Sequence, residues 1–328
     1  MGRTIFVVTG AAGHLGSTLL RKLSAEGAEV RGLLLPGETP KVEATGISYV
    51  TGDVRDLVSL RPLLAGLDAD DVVFVHTAAI ISIARTMPPG LREVNVDGVR
   101  NVLALCREHG VRRLVHVSSV HAIPEAPAGQ TIEEAASFSP DLVHGGYAKT
   151  KAEAAQLVLD ATRDGLDAVV VFPSGILGPY DRGSNHLSQM VIECHEGRLP
   201  ACVPGGYDFV DVRDVASGCL AAASRGRSGE GYILSGHYVT VQELLGLVAR
   251  LGGRRVPPVV PASLARAAVP FATFWARLHH ERPLYTAYSL ETLASNGHFS
   301  NEKARRELGF DPRPLEETVS DMLAWLEA

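Results

Sequence analysis

The 328-residue sequence predicts an α/β fold: a doubly wound parallel sheet carrying a smaller C-terminal lobe. Three observations lead there. Short apolar, β-branched runs recur through the first half, amphipathic stretches of helical length separate them, and a glycine-rich turn joins the first run to the first stretch. The runs fall at 4–9, 29–34, 47–50, 72–76, 113–118 and 168–173, and the helical stretches include 17–26, 94–109 and 147–163. Strands that are apolar on both faces and separated by helices make a parallel sheet covered on both sides. Right-handed crossovers then wind it in two directions. A further strand is expected near 232–234.

After Pro173 the rhythm breaks. Residues 175–206 are rich in glycine, proline and polar side chains, and 256–278 are apolar and punctuated by proline. The end, 301–328, reads as two short helices flanking Asp311-Pro312-Arg313-Pro314. The expected partition is a core of 1–173, rejoined by 208–235, and a lobe built from 174–207 and 236–328.

Composition narrows the class. An apolar share of 46%, a charged share of 21% and a net charge of −6 describe a globular chain that buries a core unaided. Diffuse negative charge argues against a nucleic-acid partner. Cys106, Cys194, Cys202 and Cys219 stand far apart without a C-x-x-C pair, and the histidines are scattered, so no metal site is expected. Reduced, buried thiols fit a cytoplasmic protein. No apolar run reaches the roughly 18 residues of a spanning helix, and Ile5-Phe6-Val7-Val8 meets glycines too soon for a leader's apolar core.

The turn after the first strand reads Thr9-Gly10-Ala11-Ala12-Gly13-His14-Leu15-Gly16. A pyrophosphate sits on a helix N-terminus only where the backbone lets it approach. Gly10 permits the tight turn, Gly13 leaves room for the phosphates, and Gly16 lets helix and strand pack closely. Strand-to-helix placement makes this a dinucleotide site, with His14 and Leu15 opening the helix. The second strand should choose between NAD and NADP, but Leu34-Leu35-Pro36-Gly37-Glu38 carries neither usual device. Lys41 can reach a 2′-phosphate, a contact worth about 1.5–3 kcal/mol, while Glu38 can serve a ribose hydroxyl. The balance tilts slightly to NADP. Asp53 and Val54 after the third strand suit the adenine, and Ala78 and Ala79 after the fourth are small enough for the cofactor to lie over them.

Tyr147 and Lys151 begin a helix at i and i+4, on one face. A free tyrosine titrates near 10. A neighbouring ammonium favours its phenolate, making the pair an acid/base unit. Ser118-Ser119 end the strand before this helix, where a hydroxyl reaches the same crevice.

With these motifs in this order the chain resembles the extended short-chain dehydrogenase/reductase family, also called the NAD-dependent epimerase/dehydratase family. The resemblance covers nearly the whole chain. It is carried by Thr9–Gly16, Gly52-Asp53-Val54, His76-Thr77-Ala78-Ala79, Asn95-Val96-Asp97-Gly98, Ser118-Ser119, Tyr147 and Lys151. Pro173-Ser174-Gly175-Ile176-Leu177-Gly178-Pro179, Asp211-Val212-Arg213-Asp214-Val215-Ala216 and the stretch from Lys303 to Phe310 continue it. It implies a Rossmann fold and roles for particular residues. Tyr147 is the general acid or base, and Lys151 holds the nicotinamide ribose. Ser119 is the catalytic serine, with Ser118 as fallback. Pro173, Ser174 and Ile176 line the nicotinamide pocket, and Asn95 supports the neighbouring strand end. Two departures stand out: Ala122-Ile123-Pro124 replaces the Tyr-Gly many members carry after the serine, and Leu34 and Leu35 are neutral.

Within the family the chain looks most like the dihydroflavonol reductase and 3β-hydroxysteroid dehydrogenase-like branch. That implies hydride transfer to or from an apolar ring ketone, such as a flavonoid, steroid, aryl ketone or polyketide. Ser82, His121, His144 and Tyr180 neighbour the motifs and are candidates for the substrate pocket. Phe271, Phe274 and Trp275 either cover that pocket or anchor their helix to the core. The alternative is a nucleotide-sugar epimerase or dehydratase, needing cations for a diphosphate, with Arg182, Arg213 and Arg277 as candidates. A non-catalytic NADP sensor fits less well, because the Tyr/Lys pair is retained. The resemblance also suggests a homodimer through the helices at 94–109 and 148–163.

Overall fold

A computed structural model of the chain describes residues 4–68, 71–84, 87–127, 129–183, 185–267 and 286–328. Seven strands form the main sheet: β1 (Ile5–Thr9), β2 (Glu29–Leu34), β3 (Ile47–Thr51), β4 (Val72–His76), β5 (Arg113–Val117), β6 (Ala168–Pro173) and, later in the chain, β9 (Gly231–Leu234). Their spatial order is β3-β2-β1-β4-β5-β6-β9, every neighbour parallel. The winding reverses between β1 and β4, and ligands bind at the strands' carboxyl ends beside such a switch.

Alternation along the strands makes two cores. Val7, Phe74, Leu114 and Val170 face α2 (Leu57–Leu60), α3 (Gly98–His109) and α4 (Gly146–Arg163). Val8, Val75, Val115 and Val171 face α1 (His14–Ala25) and, later in the chain, α6 (Val212–Arg225). The first helix begins at His14, where the glycine turn places its start and three residues before the amphipathic stretch 17–26, with Gly13 as its N-terminal boundary. A π-helical turn, Glu93–Asp97, leads directly into α3.

A second, three-stranded sheet has the order β10-β8-β7, from β7 (Gly175–Leu177), β8 (Gly206–Asp211) and β10 (His237–Thr240). Of the segment 208–235, α6 and β9 return to the main sheet while β8 belongs to the small one. Further helices include α5 (His186–His195), α7 (Val241–Leu251), α8 (Ala287–Ala294), α9 (Glu302–Leu308), which packs on α6 and β9, and α10 (Leu315–Glu327). Thr240 and Glu243 start α7 with a reciprocal capping box, satisfying two end N–H groups at once.

Ion pairs join the lobe to the core. Arg313 grips the buried Asp214 through Nε at 3.1 Å and a terminal nitrogen at 2.8 Å. Arg213 bridges the buried Asp211 and Asp321 of α10. All four cysteines are buried and unpaired. Among the described residues no helix is long and apolar enough to cross a membrane, and no cluster of three or more His, Cys, Asp or Glu is placed to hold a metal ion. Phe271, Phe274, Trp275 and Arg277 lie outside the described residues.

Candidate active site

The crevice opens where β1 and β4 part. β1 ends at Thr9, and Gly10 turns the chain at φ +68°, in the left-handed region that glycine tolerates. A side chain at Gly10 meets the Ala78 backbone at 3.0 Å, and one at Gly16 meets the Gly10 carbonyl at 2.0 Å. At Gly13 a Cβ finds only the Gly10 carbonyl, at 3.1 Å. No side chain caps this end of α1, so a helix start with orphan N–H groups lies beside an open cradle. That is what a pyrophosphate requires, and the residues present fit a dinucleotide.

The neighbours of this cradle are held in place. His14 Nε2 bonds the Pro179 carbonyl at 2.8 Å, drawing the loop after β7 across the start of α1. Burial lowers the His14 pKa. Leu15 is buried in the core shared with β1 and β2. Lys41 lies on an exposed loop close enough for its charge to act on His14, and Arg21 holds its carbonyl at 3.0 Å. The Glu38 carboxylate accepts from the Leu35 N–H at 2.9 Å. Asp53 is gripped by Arg55, at 2.6 Å for the shortest contact, and this pairing holds its carboxyl below the usual range. Val54 is buried against Gly98. Ala79 follows Ala78 at the lip of β4, next to Ile80, whose backbone is tied to Asn95.

Tyr147 and Lys151 occupy one face of the first turns of α4, both buried. Lys151 Nζ donates to the Val117 carbonyl at 2.9 Å, and burial pushes its pKa down to about 8. Asn95 accepts from Ile80 N–H at 2.8 Å and donates to Thr150 Oγ1 at 3.1 Å, tying the segment after β4 to α4. Ser119 follows β5, and its Oγ accepts from the His121 N–H at 3.3 Å. Ser118 instead turns inward, donating to the Lys151 carbonyl at 3.4 Å. This inward turn favours Ser119 over its neighbour as the hydroxyl available to a substrate.

His121 stands with its ring at 75° to that of Tyr147, centroids 6.0 Å apart. Its Nε2 lies 2.9 Å from the Tyr207 hydroxyl, and burial pushes its pKa down to about 4. Tyr207 in turn touches Phe209 and Phe299 edge-on. Sequence reasoning missed this aromatic wall. The alternation Tyr207, Phe209 along β8 was its only local sign.

The other expected residues fall in different surroundings. Pro173 ends β6, and Ile176 lies in β7 against the core shared with α1. The buried Ser174 hydroxyl lies beside Asp208, out of good hydrogen-bond geometry, and burial pushes the Asp208 carboxyl up to about 6. Ser82 Oγ accepts from Ala84 N–H at 3.1 Å within its own loop, and His144 is exposed before α4. Tyr180 follows Pro179, whose carbonyl meets His14. The Tyr180 ring packs against Trp325 and beneath Arg21, with its backbone held at φ +77°.

An uncapped glycine cradle at the switch point of a parallel sheet, facing a buried Tyr/Lys pair, defines a nicotinamide-dependent enzyme of the extended short-chain type. The profile of the NAD-dependent epimerase/dehydratase family matches residues 6–235, and the chain belongs to that family. It is 33% identical over 327 residues to sterol demethylase protein B of Methylococcus capsulatus, covering 97% of each chain. It is 32% identical to 4-hydroxy-2-methyl-3-oxo-4-farnesyl-3,4-dihydroquinoline-1-oxide ketoreductase of Stigmatella aurantiaca, covering 96% of this chain and 94% of that protein. The crystal structure of gox2253 superposes with a TM-score of 0.84 at 31% identity, covering 99% of this chain and 98% of that one.

Proposed function

We propose that the enzyme moves a hydride between a nicotinamide cofactor and a secondary alcohol or ketone on an apolar ring compound, with sterol-like substrates foremost. The aromatic group beside Tyr147 carries this reading: His121 meets Tyr147 edge-on and stacks on Tyr207, with Phe299 against Tyr207 and Phe209 buried behind it, so the surroundings of the acid/base tyrosine are apolar rings that suit an apolar substrate. The names of the sterol and ketoreductase relatives support it.

The bound cofactor supplies or takes the hydride. Tyr147 gives its hydroxyl proton to the carbonyl oxygen during reduction and takes it back during oxidation. The Lys151 ammonium steadies the phenolate left behind. Ser119 accepts from His121 N–H, so its own proton remains for the substrate oxygen. Two donors then meet the developing charge in a site that excludes water. Gly10, Gly13, Gly16, His14 and Leu15 hold the pyrophosphate, Asp53 and Val54 the adenine, and Ala78, Ala79, Pro173, Ser174 and Ile176 the nicotinamide half. Lys41 tips the choice slightly towards NADP.

The nucleotide-sugar reading has less support. Of its candidate cations, Arg182 lies over the Trp325 ring and Arg213 is bound to Asp211 and Asp321. A sensor without turnover has no use for a buried acid/base pair. We further propose a core of 1–173 rejoined by α6 and β9, a substrate lobe from the remainder, a homodimer formed through α3 and α4, and a cytoplasmic location.

The test combines substrate and variant. The purified enzyme is expected to oxidise NADPH or NADH with a 3-oxosteroid or an aryl ketone and to leave UDP-glucose unchanged. Tyr147→Phe should bind cofactor as before and lose turnover by about 100- to 10,000-fold. Full turnover in that variant would overturn the mechanism, and tightly held NAD with UDP-glucose conversion would overturn the substrate class.

A further inference from the structure

Two imidazoles that this chemistry does not use are buried beneath the catalytic lysine. His76 ends β4 and pairs in register with His116 of β5. Their rings stack with centroids 5.4 Å apart and planes 22° apart, and the residues are 1% and 2% exposed. On its other side His76 is in register with Thr9, the last residue of β1, whose Oγ1 lies 2.7 Å from His76 Nδ1. Thr9, His76 and His116 stand two residues beyond Val7, Phe74 and Leu114, so all three project from the sheet face that carries α4.

Counting hydrogen bonds at Thr9 settles the direction of this contact. A hydroxyl has one proton and two lone pairs. The backbone N–H groups of Thr77 and Ala78 donate to Thr9 Oγ1 at 3.2 and 3.3 Å, taking both lone pairs. The Thr9 proton therefore goes to His76 Nδ1, which must be bare, and the neutral ring carries its own proton on Nε2. A charged His76 would set two donors face to face. Burial and the Lys151 charge hold His76 down at about 3, and His116 is likewise held well below its ordinary value. The groups acting on His76 are Lys151 from α4, His116 from β5 and the uncharged Thr9 from β1.

We infer that His76 is a positioning residue for the cofactor: as a neutral, Nε2-protonated ring it fixes the Thr9 hydroxyl, which clamps Thr77 and Ala78 against the glycine turn. The clamp is tight, since a Cβ on Gly10 would stand 2.9 Å from Thr77 Oγ1 and 3.0 Å from the Ala78 backbone. Thr77 Oγ1 closes the other side by donating to the Thr9 carbonyl at 2.7 Å. His116 contributes a second neutral ring stacked on the first.

The inference rests on the glycine turn binding nicotinamide cofactor. Its test uses NADH and NADPH titrations of Thr9→Val, His76→Leu, His76→Asn and the Thr9→Val/His76→Leu double variant. Thr9→Val and His76→Leu should each weaken binding about five- to tenfold, and the double variant should be no worse than either. His76→Asn, isosteric with leucine but keeping an acceptor near the Nδ1 position, should stay within about twofold of the native enzyme. Nitrogen NMR of the native enzyme should find His76 Nδ1 bare and Nε2 protonated, unchanged between pH 6 and pH 9. Additive effects, equal losses in the Asn and Leu variants, or a proton on Nδ1 would each overturn the inference. If His76→Leu does not fold, Thr9→Val and the NMR reading still decide. Failure of the native enzyme to bind either cofactor would instead refute the cofactor reading and leave the NMR result standing.

Discussion

Lys151 is where burial and chemistry meet most directly. Its stem lies within the core of α4 and its ammonium has the Val117 carbonyl as partner, so losing water lowers its pKa to about 8. A lysine lowered in this way carries its charge below that pH and loses it above. Cofactor affinity should therefore fall as pH rises through about 8, because Lys151 is the group proposed to hold the nicotinamide ribose. Lys151→Arg keeps a charge that does not titrate in this range. Titrating NADH from pH 6 to pH 10 should show the native loss and a flat profile for the arginine variant. Parallel profiles would assign the pH dependence to another group. That Tyr147 and Lys151 share one face of a helix was legible from their i, i+4 spacing, but a surface pair has the same spacing, and only the glycine turn and Ser118-Ser119 before it pointed to an acid/base unit. The desolvation that tunes Lys151 was not legible, because it comes from strands brought over it by the fold.

At the scale of elements, the glycine turn separates close packing from ligand room. Gly16 sits on the Gly10 carbonyl so closely that an added Cβ would stand 2.0 Å away, whereas Gly13 meets that carbonyl at 3.1 Å and nothing else. Gly16→Ala should force α1 off β1 and cost about 3 kcal/mol of stability, at the upper end for overpacking. Gly13→Ala should leave thermal unfolding nearly unchanged and reduce NADH and NADPH binding more than tenfold. Equal melting temperatures for the two variants would show that both glycines serve the ligand alone. The main-sheet strands and this turn could be read from the sequence because each carries a local signal, apolar runs for the strands and glycine at fixed spacing for the turn. The π-helical turn at Glu93–Asp97 had no such mark. Nor did the small sheet, whose β7 has three residues and whose β8 opens on glycine. Its strands are defined by pairing across long separations.

The whole molecule depends on ion pairs that tie the lobe to the core, and the aromatic wall depends on that tie. Tyr207 reaches His121 from 86 residues away in sequence, on a strand whose last residue, Asp211, is buried beneath Arg213 and Arg313. No local pattern could have shown this contact, and the same long-range geometry turned Tyr180 towards Trp325. Arg313 is the keystone of the set. It is about one-quarter exposed, and its guanidinium and backbone N–H both serve Asp214, a carboxylate at 7% exposure. Removing one partner of such a pair leaves the other charged and buried, which costs more than the pair itself contributes. Arg313→Ala should therefore lose about 3 kcal/mol in urea denaturation, the lower end for breaking a buried pair. Arg250 provides the contrast: it meets Glu316 at 3.0 Å with both side chains mostly exposed, and Arg250→Ala should not move the midpoint. If Arg313→Ala is as stable as Arg250→Ala, packing rather than charge holds the lobe. If it is destabilised as expected, its ketone KM should rise while NADH affinity holds, because Tyr207 belongs to the lobe and the glycine turn does not.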